Sequence, residues 1–400
     1  MKILLLNCVY KQGSTGKIIA SLHEGLTERG YTSFVFYGTG IDVCEKNVRK
    51  ICRPVEHYLN ALLSRITGIP FGGIYVANRK VRKFVLNEKP DVVHIHCING
   101  SMINIYDLLS FLGKNGIKTV VTLHAEFFHT GSCSHAFDCK KWIDGCYSCN
   151  TYKDFLPSYF FDKSKEAWSK METAFSSFKK GDIVITSVSP WLMNRAKQSK
   201  FLGRFENVYV PNGVDTKVFK TQPVTKKMRP VVLFVTPHFT PNNPLDQKGG
   251  KYLIEIARLC KNYVFKIVAS KSSFSSGQLP PNVSFHGKAS SQDQLCTLYN
   301  EADVTLVLSK RETFSMVTAE SLCCGTPVVG FKAGGPESIA ISKYSKFVDY
   351  GNINEIIKAL RKVIENNYDS REIETVATDK YSFNTVTQLY INEYKKLKNE

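Results

Sequence analysis

Apolar residues along this chain come in short blocks separated by longer mixed stretches. Blocks at 3–6, 33–37, 92–96, 119–123 and 183–188 are rich in Val, Ile, Leu, Phe and Thr and show no strict alternation. That is the pattern of parallel strands buried on both faces. Stretches at 17–29, 74–86 and 164–178 carry apolar residues three and four apart and predict amphipathic helices. A second series follows, with strands over 231–235, 265–269, 283–286 and 304–308 and helices over 251–260, 292–300 and 353–365. Repeated strand–helix alternation predicts an α/β fold of two Rossmann-like, doubly wound parallel sheets. The break falls at Pro211-Asn-Gly-Val-Asp215 and the polar stretch 216–230. We therefore expect a first domain over 1–212, a second over 213–380, and a closing helical segment over 381–400 whose helix spans 383–398.

Open α/β sheets bind ligands outside the carboxyl ends of their strands. Two such domains facing each other would put Asn7, His96 and His124 on one wall of a cleft and Glu312 on the other. The stretch 309–330, SKRETFSMVTAESLCCGTPVVG, is the most informative. Glu312 and Glu320 bracket the start of a short helix that Gly325-Thr-Pro327 ends before an apolar strand. Eight helical residues rise about 12 Å and return to nearly the same face. Carboxylates so spaced do not share one proton or one metal ion, but accept hydroxyl hydrogen bonds from two parts of an extended ligand. Lys248-Gly249-Gly250 opens a helix, a point charge backed by N–H groups and suited to phosphate. Gly13-Ser-Thr-Gly16 between the first strand and helix is either a second phosphate loop or a plain tight turn.

Composition narrows the picture. Four hundred residues, 43% hydrophobic and 22% charged, allow two domains with their own cores. No apolar run approaches the roughly 18–20 residues that span a bilayer, and the opening Met1–Leu6 block reads as a buried strand of a cytoplasmic protein rather than a leader. The net charge of +18 calls for an acidic partner. No helix-turn-helix or RNA-binding signature is present, so nucleic acid is not expected. Arg49, Lys50, Arg53, Arg65, Arg79, Lys80, Arg82 and Lys83 are mixed with Tyr58, Leu59, Leu62, Leu63, Ile66, Ile69 and Phe71. Such a mixture is either a docking face for an anionic membrane or a solvated face of two ordinary helices. Four of the twelve cysteines, Cys133, Cys139, Cys146 and Cys149, crowd a segment over 130–150. A tetrahedral structural zinc, free thiols and disulfides are the open readings.

The Glu312–Glu320 element resembles the E-x7-E element of retaining GT-B glycosyltransferases of family 4, and the resemblance runs over essentially the whole chain. It implies that Glu312 contacts the transferred sugar and Glu320 the ribose of the nucleotide. The family usually has Gly where Thr313 and Ser315 stand, with Phe314 between them, and the backbone there joins the donor site. Gly13 and Gly16 would lie against the donor diphosphate, and Lys248 would bind its phosphates. The family pairs that Lys with an Arg five residues earlier; it is absent here, and His238, Lys310 and Arg311 are the candidate replacements. His124 would sit beside the transferred sugar. Family members read His-Asp there, whereas this chain reads His124-Ala125-Glu126, which leaves open whether Glu126 serves instead. Gly334-Gly335-Pro336-Glu337 is similar to the family's Gly-Gly-x-Pro-Glu. The Cys-rich segment resembles an insert in transferases of the colanic-acid, capsule and O-antigen type.

The resemblance thus implies a retaining hexosyltransferase with His124, Glu312 and Lys248 as catalytic residues. Its donor would be a nucleotide sugar, a UDP-sugar before a GDP-sugar. The acceptor would be a lipid-linked saccharide or an oligosaccharide at the inner face of the cytoplasmic membrane. No Asp-x-Asp occurs, so no catalytic metal is expected. A sugar-nucleotide epimerase and a non-catalytic sugar-binding homologue share the same features and are the alternatives.

Overall fold

The computed structural model describes residues 1–73, 76–150, 152, 158–224, 228–243, 245–270 and 279–399. The chain divides into two compact units, Met1–Val210 with Thr387–Glu400, and Pro211–Val386. Among the described residues, the sheet of the first unit has seven parallel strands: β1 (Lys2–Asn7), β2 (Thr32–Tyr37), β3 (Val48–Lys50), β4 (Val92–Ile95), β5 (Thr119–Leu123), β6 (Ile183–Ser187) and β7 (Glu206–Tyr209). Their spatial order is β3-β2-β1-β4-β5-β6-β7. The second unit has β8 (Val231–Val235), β9 (Val264–Val268), β10 (Val283–Gly287), β11 (Val304–Val307), β12 (Val328–Phe331) and β13 (Ser345–Val348), ordered β10-β9-β8-β11-β12-β13. Both are Rossmann-like α/β sheets, as the alternation predicts.

The core follows from the apolar blocks. Ile3, Leu4, Leu5 and Leu6 of β1 are wholly buried, as are all residues of β4, β5 and β6. In the second unit Val232, Phe234, Phe265, Ile267, Val304, Leu306, Val329 and Phe331 join Leu253, Ile256, Ile356 and Leu360 from two helices in one cluster. Each sheet reverses strand order at one place, between β1 and β4 and between β8 and β11. Loops leaving neighbouring strands diverge there and open a crevice for a ligand.

Local details depart from the expectation. The first helix is Gly13–Glu28, so Gly13-Ser-Thr-Gly16 forms its first turn rather than a loop ahead of it. The chain reverses one step earlier, at Lys11, whose N–H donates to Gly16 O at 3.0 Å. The helix expected over 74–86 is Val76–Glu88; residues 74–75 lie outside the described residues. The edge strands β3, β7 and β13 and the helix Ile105–Lys114 have no counterpart in the block pattern. Those strands lie at sheet edges and are only partly buried, so their residues need not be apolar. The helix Phe383–Lys398 starts in the second unit, and from Thr387 onward it belongs to the first.

Candidate active site

In the second unit the crevice between β8 and β11 is lined by two loops tied to each other. Asp246 accepts from the Lys248 N–H at 2.9 Å and from the Gly250 N–H at 2.7 Å, fixing the turn into helix Gly250–Leu259. Gly249 caps that helix with φ +81°, and a Cβ there would lie 2.3 Å from Leu308 O. Only glycine permits both the conformation and the approach to the end of β11. Lys310 N–H donates to Gln247 O at 2.8 Å, a second stitch between the loops. Lys248 Nζ is thereby brought to Glu312 Oε1 at 2.5 Å, and Ser309 Oγ donates to the same oxygen at 2.9 Å. The result is an ammonium and a carboxylate beside a helix N-terminus, a setting that favours anions.

Glu312 is not helical. It makes an isolated parallel bridge with Gly334, its N–H donating to Ala333 O at 3.0 Å while its carbonyl accepts from Gly335 N–H at 2.8 Å. The expectation that eight helical residues separate the two glutamates is therefore corrected: the helix is Met316–Cys323, and half of the spacing is a bent, non-helical segment beside β12's loop. A Cβ on Gly335 would lie 2.5 Å from Phe314 N, so that crossing also requires glycine. Ser315 has φ +86° and its hydroxyl accepts from Thr318 N–H at 3.3 Å. Serine thus holds a left-handed conformation that glycine adopts without strain, repaid in part by the cap. Phe314 is buried and meets Tyr381 edge-on at 6.1 Å, so it can offer a ligand its backbone and not its ring. Thr313 is half-buried beside it. Glu320, on the helix, accepts from Tyr299 O–H at 3.1 Å. Glu337 accepts from the Ala333 and Gly334 N–H groups at 2.9 and 2.8 Å, which makes it scaffold for the loop. His238 is exposed, its Nδ1 at 3.2 Å from Ser270 Oγ.

In the first unit the corresponding strand ends carry histidines. His124 follows β5 and is half-buried; its Nε2 lies 3.0 Å from His96 Nδ1, and the two rings stack at 5.2 Å. His96 Nε2 lies 3.2 Å from His94 Nδ1, which lies 2.6 Å from the Tyr394 hydroxyl. His94 Nε2 is 2.7 Å from Thr122 Oγ1, itself bonded to Thr186 and Tyr390. Burial drives the His124 imidazole down to about 4 and holds His94 and His96 well below the usual histidine range. All three are neutral at neutral pH, each with one donor and one acceptor. Asn7 is scaffold: it is buried, accepting from Cys97 N–H at 3.0 Å and donating to Val9 O at 2.7 Å. Gly13 has open space where a Cβ would stand, whereas a Cβ on Gly16 would lie 3.2 Å from the Lys11 backbone N.

Glu126 resolves differently from the open question in the sequence. It is wholly buried; Arg195 Nε donates to its Oε1 at 2.5 Å and Ala136 N–H to its Oε2 at 2.7 Å. Burial raises a carboxyl, but His129, Arg195 and the Ala136 N–H outweigh it and hold Glu126 at about 2. It anchors the Cys-rich segment and is spent in doing so. The four cysteines of that segment line one cavity of about 450 Å³ with His135, Trp142 and Tyr147. Burial, then the other three thiols, pushes the Cys133 thiol up to about 12. Yet among the described residues no three His, Cys, Asp or Glu side chains are grouped closely enough to hold a metal ion. None of the four is in a disulfide: Cys139 is exposed, and Cys146 Sγ accepts from Gly131 N–H at 3.2 Å.

A family model described as Glycosyltransferase Family 4 matches residues 15–218, and one described as Glycosyl transferases group 1 matches residues 242–379. The putative colanic acid biosynthesis glycosyl transferase WcaC of Escherichia coli (strain K12) is 20% identical over 420 residues, covering 99% of this chain and all of that protein. Among solved structures, sucrose-phosphate synthase from Thermosynechococcus elongatus aligns at a TM-score of 0.67 and 15% identity, over 99% of this chain and 98% of that one. Anabaena Alr3699/HepE in complex with UDP-glucose aligns at 0.60 and 16% identity, over 98% and 99%. The structural likenesses establish the GT-B fold.

Proposed function

This chain belongs to glycosyltransferase family 4, and from that premise we propose that it moves a sugar, with retention of configuration, from a nucleotide-sugar donor to a lipid-linked saccharide in building a cell-surface polysaccharide. The observation that carries the reading is the Lys248–Glu312 pair at 2.5 Å, held between two loops at the strand-order reversal of the second unit. The donor diphosphate replaces Glu312 as partner of Lys248, and the released carboxylate accepts hydroxyl groups of the transferred sugar. The N–H groups at the start of helix Met316–Cys323, from Thr313 through Ser315, add to the anion site. Lys310, whose backbone is stitched to Gln247, is our candidate for the missing second cation. Glu320 takes the ribose hydroxyls.

In the first unit Gly13 and Gly16 flank the diphosphate, and neutral His124 meets a sugar hydroxyl. With Glu126 sequestered by Arg195, and Ala125 where the family has Asp, this turn offers no acidic group to serve as an inverting base. Retention then has the departing diphosphate itself take the acceptor proton. Leaving-group charge is met by Lys248 and helix N-termini, without a divalent metal. A UDP-glucose complex of a similarly folded protein and a colanic acid biosynthesis relative support a UDP-sugar and a surface polysaccharide. The membrane-bound acceptor places the protein peripherally on an anionic surface. A thermal-shift panel of UDP- and GDP-sugars, followed by proton NMR of the first product, tests this. Stabilisation by a UDP-sugar and an α-linkage from an α-donor are expected; a β-linkage would overturn the retaining mechanism.

A further inference from the structure

Helix Pro54–Thr67 is built inside out. Val55, Tyr58, Leu59, Leu62, Leu63 and Ile66 are all exposed, from 39% to 73%. At about 100° per residue they share an arc of about 140°. The opposite face, turned to the body, is polar or small. Asn60 is the buried residue of the helix and donates from Nδ2 to Ser101 O at 3.1 Å; His57 Nδ1 is 3.0 Å from Gly100 O. At the end of the helix Tyr159 N–H donates to Arg65 O at 2.9 Å and the Arg65 guanidinium covers the Tyr159 ring at 6.0 Å. There the surface continues into exposed Tyr159, Phe160 and Phe161. A helix anchored by its polar side and presenting its apolar side outward is not a folding solution in water alone. Something covers it.

Charge identifies the cover. Between Lys46 and Asn87 the sequence has nine basic residues and one acid, Glu56, and Glu56 is turned back to the Arg53 N–H at 3.4 Å. Arg53 and Arg65 stand exposed at the two ends of the apolar ridge. A second copy of the chain would bring the same arginines face to face. A bilayer with anionic headgroups instead offers acyl chains to the ridge and phosphates to its ends.

We propose that helix Pro54–Thr67 lies in the plane of an anionic membrane, with Leu59, Leu62 and Ile66 in the acyl boundary and Arg53 and Arg65 at the phosphates. This rests on the membrane-facing part of the functional reading and not on the transfer chemistry. The test uses full-length protein and vesicles of phosphatidylcholine with or without phosphatidylglycerol. Wild type should sediment with the anionic vesicles and release in high salt, and Trp fluorescence of Tyr58→Trp should shift to the blue on binding. Leu59→Ser, Leu62→Ser and Ile66→Ser should each weaken binding about tenfold, the exposed side chains leaving the fold intact. No vesicle binding, binding indifferent to these substitutions, or a wild-type dimer that they dissolve would each overturn the proposal. Donor-induced thermal shifts in the same samples separate the two readings: vesicle binding with no donor shift sinks the transferase and leaves the docking helix.

Discussion

Two carboxylate–cation pairs of this protein have the same length and opposite character. In the first unit Glu126–Arg195 closes at 2.5 Å, with side chains 0% and 16% exposed. In the second, Lys248–Glu312 also closes at 2.5 Å, but 38% and 21% exposed. The first has further partners in His129 and the Ala136 N–H, and no ligand can reach it without unpacking the fold. Opening the second costs little, because water and a diphosphate can take over each half. Burial, not bond length, separates a pair that holds a segment in place from a pair that solvent can open.

Four experiments press on that contrast. The largest effect should be Glu126→Gln, which strands the Arg195 charge and should cost about 3–5 kcal/mol of unfolding free energy. Denaturant midpoints measure it, and an unchanged midpoint would erase the distinction. Lys248→Ala should invert the pattern. It should lose about 2–4 kcal/mol of transition-state stabilisation in kcat/KM, while stability moves by about 1 kcal/mol or less. A variant that unfolds rather than stalls would make this pair structural too. Next comes a division within the second unit: Glu312→Ala should lower kcat, and Glu320→Ala should mainly raise KM. Equal effects of both substitutions on KM alone would contradict their separate roles.

The last experiment, whose effect near neutral pH is the smallest, concerns the neutral histidines of the first unit. His124, at about 4, binds its proton in the unfolded chain before the folded one does, and His94 and His96 act in the same sense. Stability should be complete above pH about 6.5 and fall as pH drops toward about 4, by at most about 1.4 kcal/mol per pH unit for each histidine. His124→Asn should flatten that slope. A wild-type midpoint constant across the window would mean these rings are charged within the fold.

The parts legible in the sequence are those where one physical demand acts alone. Strands buried on both faces must be apolar throughout, so β1, β5, β8 and β12 stand out. A turn that runs against the end of β11 needs glycine, so Lys248-Gly249 is visible. Glu126 is not: a lone glutamate says nothing about Arg195, 69 positions away, until the fold joins them. The cysteines show a spacing but not where their sulfurs point, and they share a cavity without converging. Helix Pro54–Thr67 is amphipathic in sequence, yet nothing in a periodicity tells which side faces the core.

The bond between His94 and Tyr394 spans 300 positions of sequence. A ribosome finishes all of β1 to β7, and then the whole second unit, before Tyr390 and Tyr394 emerge. Until then His94 and Thr122 have lost water in a nearly complete sheet without gaining these phenolic partners. The first unit, although made first, should therefore be the later of the two to reach its native state during synthesis. Its nascent form is the stage at which a chaperone would find most to hold.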